Sequence, residues 1–217
     1  MLNDLLYSLF EDHSLYGYSD IDDEMKLQTG CSCALVTILP FSDPEKIYRS
    51  DEFYRASEEL QRIHALKINE IKKYLDGHNI RYSSPPAAPK DDGEHKADFS
   101  YKWAAIHAGL GFIGKNDVFV HYKFGQRVRI SCLLLDIDIP VFHGTIESKC
   151  GSCDLCVQAC PHHFLSGKEW NESIHREELI DFKRCATKSK HFGEGKKYLC
   201  CHCMMACPWH MSAHKMS

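Results

Sequence analysis

Apolar positions between Asp51 and Leu75 recur at three- and four-residue steps, at Phe53, Ala56, Leu60, Ile63, Ile71 and Leu75, with Gly77 beyond the last. That period lines one face of an α-helix, and glycine ends helices because it tolerates left-handed backbone. The spacing predicts one long amphipathic helix whose stripe needs a sheet to lie on. Ahead of it Cys31 to Pro40 reads C-S-C-A-L-V-T-I-L-P, an apolar, β-branched run closed by proline. This is the pattern of a buried strand, in which Cys31 and Cys33 serve as small buried hydrophobes. Residues 3–12 place Leu5, Leu6, Leu9 and Phe10 on one side of a short helix that packs as a lid.

Residues 83–98 combine three prolines with a charged run, which predicts a long loop. A second helix follows over 101–108. Beyond it, D-V-F-V-H and R-V-R-I-S-C-L-L-L-D-I-D-I flank Tyr122 to Gly125 as a β-hairpin, with Cys132 in its second strand. Glu177 to Ala186 has helical character and carries Cys185 near its end.

The stretch A-G-L-G-F-I-G-K-N, residues 108–116, satisfies G-x-G-x-x-G and the spacing of a phosphate-binding P-loop. Both motifs need a strand before the glycines and a helix after them, so that the phosphate meets a helix N-terminus. The pattern here predicts the reverse order, and Asn116 stands where a P-loop places its magnesium-binding hydroxyl. What remains is a turn where backbone comes close to something flat or bulky. Gly109, Gly111 and Gly114 remove side chains there, and Lys115 with Asn116 can donate hydrogen bonds, which makes these five the candidate cofactor-binding residues.

The cysteines change the picture most. Of twelve, three lie in the first 140 residues and nine in the last 70, which marks a composition boundary near residues 144–148. Cys150 to Pro161 reads C-G-S-C-D-L-C-V-Q-A-C-P, and Cys200, Cys203, Cys207 and Pro208 answer it near the C-terminus. Three thiolates two residues apart wrap one corner of an iron–sulfur cube, and a fourth, three residues on and followed by proline, serves the other cluster. On this pattern Cys150, Cys153, Cys156 and Cys207 hold one 4Fe-4S cluster. Cys160, Cys200 and Cys203 share a second with one more thiolate, for which Cys185 is the candidate. A zinc ribbon also uses paired C-x-x-C, but gives no reason for the third close cysteine or for a Cys-Pro after each set. Disulfides between cysteines this close are poor, and nothing else in the chain has a secreted character. His162, His163, His202 and His210 stand beside ligand positions as neighbours rather than ligands.

A net charge of -4 and a pI near 6.4 give no basic footprint for nucleic acid. No run of eighteen apolar residues exists, and the first residues, M-L-N-D-L-L-Y, lack the basic start of a signal peptide. The expectation is a cytoplasmic protein with no membrane partner.

Taken together, A-G-L-G-F-I-G-K-N, the strand ending L-L-L-D-I-D-I-P, C-x2-C-x2-C-x3-C-P, the lone cysteine in K-R-C, and C-x2-C-x3-C-P-W resemble the epoxyqueuosine reductase family from about Cys33 to Trp209. The resemblance implies an α+β protein: an α/β sheet domain over 1–146, like the family's cobalamin-binding domain, and a ferredoxin-like domain over 147–217 with two 4Fe-4S clusters. It implies an oxidoreductase that passes electrons from a low-potential protein partner to cobalamin, and it supports Cys185 as a ligand through its K-R-C context. The alternative is a ferredoxin-type electron carrier without cobalamin or substrate of its own; the third reading is a zinc-stabilised binding module.

This sequence departs from the family in three places. The segment that carries a proton-donating aspartate reads S-S-P-P-A-A-P, so the acid position falls near Pro86 or His95, with Asp91, Asp92 and Asp98 as neighbouring acids. The usual Gly-Glu pair appears as Ser131 and Cys132. The chain stops ten residues after Cys207, without the helical repeats of longer members that help hold tRNA, so with the acidic pI a tRNA partner is not expected.

Overall fold

The computed structural model describes residues 1–43, 46, 48–86, 97–144, 146–193 and 196–209, with backbone alone over 189–193 and 196–198. In chain order its elements begin α1 (Leu2–Phe10), β1 (Tyr16–Asp20), α2 (Asp23–Thr29), β2 (Cys33–Pro40), α3 (Ser50–Gly77), β3 (Tyr82–Ser83) and α4 (Tyr101–His107). They continue β4 (Gly111–Ile113), β5 (Phe119–His121), β6 (Val128–Leu135), α5 (Leu155–Gln158), α6 (Arg176–Leu179), α7 (Phe182–Ser189), β7 (Lys190–Gly193), β8 (Lys196–Leu199) and α8 (His202–Met205).

The chain divides into two compact units and crosses between them several times. Met1–Leu39, Gln61–Leu110 and Arg129–Thr145 form the first; Pro40–Leu60, Gly111–Val128 and Ile146–Ser217 form the second. One crossing falls where the cysteine content changes, and others carry residues 40–60 and 111–128 into the cysteine-rich unit.

The first unit is built on a four-stranded sheet in the order β1-β2-β6-β3. β1 runs antiparallel to β2, Tyr16 opposite Thr37 and Asp20 opposite Cys33, and β3 antiparallel to β6. The predicted strand at Cys31–Pro40 is β2, buried along Cys33–Ile38, as its unbroken apolar run requires. The predicted long helix is α3; of its stripe Phe53, Leu60, Ile71 and Leu75 are buried, and Ala56 and Ile63 are half-buried. It meets the sheet at His64, whose Nε2 lies 2.8 Å from Thr37 Oγ1 on β2. α1 buries Leu6 and Phe10, and the Phe10 ring stands edge-on to His64. α2 starts on Asp22, whose carboxylate accepts the Met25 N–H, and ends at left-handed Gly30.

Two expectations need correction. The hairpin predicted between 117–121 and 127–139 does not form: β5 pairs instead with β4 inside the glycine-rich stretch, Gly111 opposite His121 and Ile113 opposite Phe119. Tyr122–Gly125 closes locally, with His121 and Gly125 exchanging backbone hydrogen bonds of 2.8 and 2.9 Å, and β6 joins the four-stranded sheet. The helix predicted over Glu177–Ala186 is two pieces. Ile180 bridges to Leu165, and the Asp181 N–H is donated to Phe164 O at 2.9 Å, so the chain is extended there before α7 begins. The order helix, glycines, strand over 101–113 is the one that argued against a P-loop.

Candidate metal centre

The two cysteine motifs fold by one device. At the first, Cys153 N–H bonds Cys150 O at 3.0 Å, α5 gives a single turn, and the chain leaves it with Cys160 N–H on Val157 O just before Pro161. At the second, α8 gives a single turn and Cys207 N–H bonds Met204 O just before Pro208. Proline cannot continue a helix, so each Cys-Pro fixes the exit of its turn. α5 and α8 pack on each other, which brings the motifs together across some fifty residues of chain.

Cys160, Cys185, Cys200 and Cys203 line one small hollow of about 30 Å³ with Pro161, Phe164, Leu165 and Ile180. Four thiols from three separate segments thus face one small, largely apolar space. Burial pushes the Cys203 thiol up to about 12, with Cys200, Cys156 and Cys185 adding, against a hydrogen bond from the Asn116 side chain. Burial also raises Cys185, with Cys200 and Cys160 adding to it. The other set shows the same mutual influence. Burial and then Cys150, Cys156 and Cys153 push Cys207 up to about 12, and burial with Cys150 and Cys153 pushes Cys156 up to about 11. Buried thiols crowded together resist ionisation; a cationic iron core that takes them as thiolates reverses that preference. Among the described residues no three His, Cys, Asp or Glu side chains close on one point as the ligands of a single ion do. The thiols of the second set stand around a hollow instead, which suits a multi-atom core. The donor set therefore fits iron–sulfur clusters.

The remaining four cysteines are buried among other partners. Cys201 directs its sulfur to Tyr48 O at 3.4 Å. Cys31, Cys33 and Cys132 lie inside the first unit, where burial pushes Cys33 up to about 11 and raises Cys132 well above its ordinary value. His202 Nδ1 lies 3.4 Å from Cys200 Sγ.

The five candidate cofactor-binding residues each have company inside their own unit. A Cβ on Gly109, whose φ is 73°, would stand 2.8 Å from the Phe142 ring, and one on Gly111 only 2.1 Å from Val120 O across the β4–β5 pair. Lys115 is 6% exposed, and its Nζ donates to Asp154 Oδ1 at 2.7 Å, inside the first cysteine loop. Asn116 and Gln126 form a buried reciprocal amide pair, at 2.9 and 2.8 Å. Asp154 and Gln126 carried no signal in the sequence, being an ordinary acid and an ordinary amide among many. Arg127 was likewise missed: it is fully buried, and its Nη2 donates to Met205 O at 3.4 Å.

In the first unit a separate hollow of about 250 Å³ is lined by His64, Ser84, Tyr101, Arg129, Ser131 and Cys132 among others. It contains the two positions that replace the Gly-Glu pair. Its size is below the roughly 300–1,000 Å³ of pockets for drug-sized ligands. Of the acids considered as proton donors, Asp98 is exposed, while Asp91, Asp92 and His95 lie outside the described residues.

Residues 149–210 match the family described as a 4Fe-4S double cluster binding domain. Epoxyqueuosine reductase of Aliivibrio fischeri is 28% identical over 121 residues, covering 50% of this chain and 30% of that protein. That of Lactococcus garvieae is 33% identical over 131 residues, covering 57% and 34%. A solved epoxyqueuosine reductase with a modified tRNA stem loop superposes with a TM-score of 0.61 at 18% identity, covering 98% of this chain and 65% of that one. This chain is similar to the epoxyqueuosine reductases over about half its length. A tetrachloroethene reductive dehalogenase of Desulfitobacterium hafniense is 29% identical over 121 residues, covering 48% of this chain and 21% of the relative. A catabolic reductive dehalogenase shares the fold, with a TM-score of 0.63 at 17% identity over 83% of this chain and 26% of that one. The chain spans about a third of the length of the Aliivibrio and Lactococcus reductases. Among the described residues no helix is long and apolar enough to cross a membrane.

Proposed function

We propose that this chain is an iron–sulfur oxidoreductase of the epoxyqueuosine reductase type, taking electrons from a low-potential protein and delivering them to a cobalamin-type cofactor for substrate reduction. The observation that carries it is the hollow lined by Cys160, Cys185, Cys200 and Cys203, drawn from three separate segments as a crossed motif would require. Cys150, Cys153, Cys156 and Cys207 would hold one 4Fe-4S cluster and the ringed four the other. The clusters supply single-electron storage and the corrinoid the reducing centre. In this reading residues 1–146 serve the corrinoid and substrate, and 147–217 form the ferredoxin-like part. The cobalamin part rests on relatives, among them a dehalogenase whose structure was interpreted as a B12-dependent mechanism. The bound tRNA stem loop belongs to the structural neighbour; a pI near 6.4 gives this chain no overall basic footprint for it.

A second reading, a ferredoxin-type electron carrier, is favoured by one observation. The side chains of Lys115 and Asn116, expected to donate to a corrinoid, are engaged with Asp154 and Gln126. Two measurements decide. Anaerobically reconstituted protein should hold about eight iron and eight sulfide per chain, and Cys207→Ala should remove the same EPR species as Cys150→Ala. Four iron or fewer, or losses that follow sequence proximity, would end the crossed two-cluster reading. Titration into cobalamin should perturb the corrinoid spectrum; an unchanged spectrum with both clusters intact leaves the electron carrier.

A further inference from the structure

The two cysteine sets differ in the charge around them. Residues 147–161 carry Glu147 and Asp154 against Lys149, whereas 181–200 hold six Lys or Arg against Asp181 and Glu194, a local excess of positive charge in a chain of net charge -4. Part of that excess is placed by α7, the helix that supplies Cys185, on which Lys183, Arg184 and Lys188 are all exposed. Arg184, Thr187 and Lys188, at helical steps of three and four, share one face. With His162 and Phe164 they line a surface hollow of about 220 Å³. His162, Phe164 and Lys188 also line the hollow of Cys160, Cys185, Cys200 and Cys203, so the two adjoin. The Arg184 guanidinium lies 4.8 Å from the Phe164 ring centroid and 3.4 Å from Asp181 Oδ2, and the His162 ring stacks on Phe164 at 5.2 Å.

We infer that this cationic face of α7 is the docking surface for an acidic, low-potential one-electron donor protein, and that electrons enter through the Cys160, Cys185, Cys200 and Cys203 set. The inference rests on the two-cluster reading and names the chemistry of its partner. Electron transfer falls off steeply with distance, so a donor must seat beside ligand sulfurs, and here a cationic wall adjoins them. Redox encounters use small interfaces whose rate and specificity come from complementary charge. At the other set the motif itself is acidic overall, and the nearby Lys115 is buried against Asp154. Outside 181–200 the chain is the more acidic for this concentration of cations, which suits a compact protein meeting one patch better than a nucleic acid meeting many phosphate sites. One electron passes from the donor's reduced iron to the oxidised second cluster, and no bond is made or broken.

The test uses reconstituted full-length protein and a plant-type 2Fe-2S ferredoxin of negative net charge. Binding is measured by calorimetry with both proteins oxidised, and electron transfer from reduced ferredoxin by freeze-quench EPR. Lys183→Glu/Lys188→Glu should weaken binding about tenfold at low salt, with the difference closing as salt rises, and should slow reduction of the second cluster in step. The equal charge change Lys72→Glu/Lys73→Glu on α3 should do neither. In wild type a carbodiimide should cross-link Lys183 or Lys188 to ferredoxin carboxylates, a readout that needs no variant. The inference is overturned by cross-links confined to other lysines, by no ferredoxin binding in wild type, by an affinity that reversal at 183 and 188 leaves unmoved, or by a hairpin RNA that binds this patch more tightly than ferredoxin does. Any of these in protein holding about eight iron leaves the two-cluster reading standing; about four iron or fewer overturns both.

Discussion

The sheet of the first unit and the cysteine segment of the second reach stability by different routes. In the first, Leu35, Val36, Ile38, Ile71, Leu75 and Leu133–Leu135 are shut away from water, each worth about 1.5–3 kcal/mol of transfer free energy. In the second, α5, α6 and α8 are four residues each, far below the roughly 12–15 at which an isolated helix becomes even marginal. Much of what is buried beside them is sulfur: Cys160, Cys201, Met205 and Cys207. A region so poor in apolar core depends on what its thiols hold, because metal binding and folding are then one equilibrium.

Removing the iron should show this contrast at its largest. Anaerobic chelation is expected to strip amide-exchange protection from Cys150–Pro208 while β1, β2 and β6 keep theirs; equal loss in both regions would dissolve the distinction. Ile71→Ala attacks the other side. With Ile71 fully buried, the substitution should lower unfolding free energy by about 2–5 kcal/mol in denaturant titrations, with iron per folded chain unchanged.

Acid should weaken the first unit through His64. Burial, with Arg129 and Lys67 adding, holds its imidazole down at about 4 against an ordinary 6.5. The unfolded chain therefore takes up a proton near 6.5 that the folded chain refuses. This group's contribution is complete above 6.5 and falls as pH drops towards 4, by about 3 kcal/mol. Stability curves at pH 7 and pH 4.5 should differ accordingly in wild type, and His64→Gln should flatten that slope. The smallest effect sharpens the comparison from within the second unit. Gly111→Ala places a methyl against the Val120 carbonyl, and should cost about 1–3 kcal/mol in thermal melts with or without iron, because the β4–β5 pair is held by its own backbone.

The long helix and β2 were legible because periodicity and burial are local statements about consecutive residues. The cysteines were legible for a different reason: spacing nominated Cys160, Cys200 and Cys203 as one set, with Cys185 the candidate fourth, and the structure has these four lining one hollow. The partner of β5 was not legible. Gly111–Ile113 is too short to carry an alternation, and the choice between it and 128–135 is made by the local closure of Tyr122–Gly125. β1 escaped for a similar reason, since Y-G-Y-S-D has no apolar run. The partners of Lys115 and Asn116 lie 39 and 10 residues away along the chain, and no local pattern reports such pairings. Only a fold that brings Asp154 and Gln126 to one turn can make them.

The hollow ringed by Cys160, Cys185, Cys200 and Cys203 also has a timetable. Its first wall emerges from the ribosome with Cys160 and its last with Cys203, and the chain between takes roughly 2–9 s to synthesise at about 5–20 residues per second. Throughout that interval Cys160 waits beside incomplete partners, and an accessible thiolate is what oxidants attack first. If these four thiols share a cluster, iron and sulfide cannot complete it before Cys203 has left the ribosome, and slowing synthesis between the two motifs lengthens the period in which a nascent chain is vulnerable to oxygen.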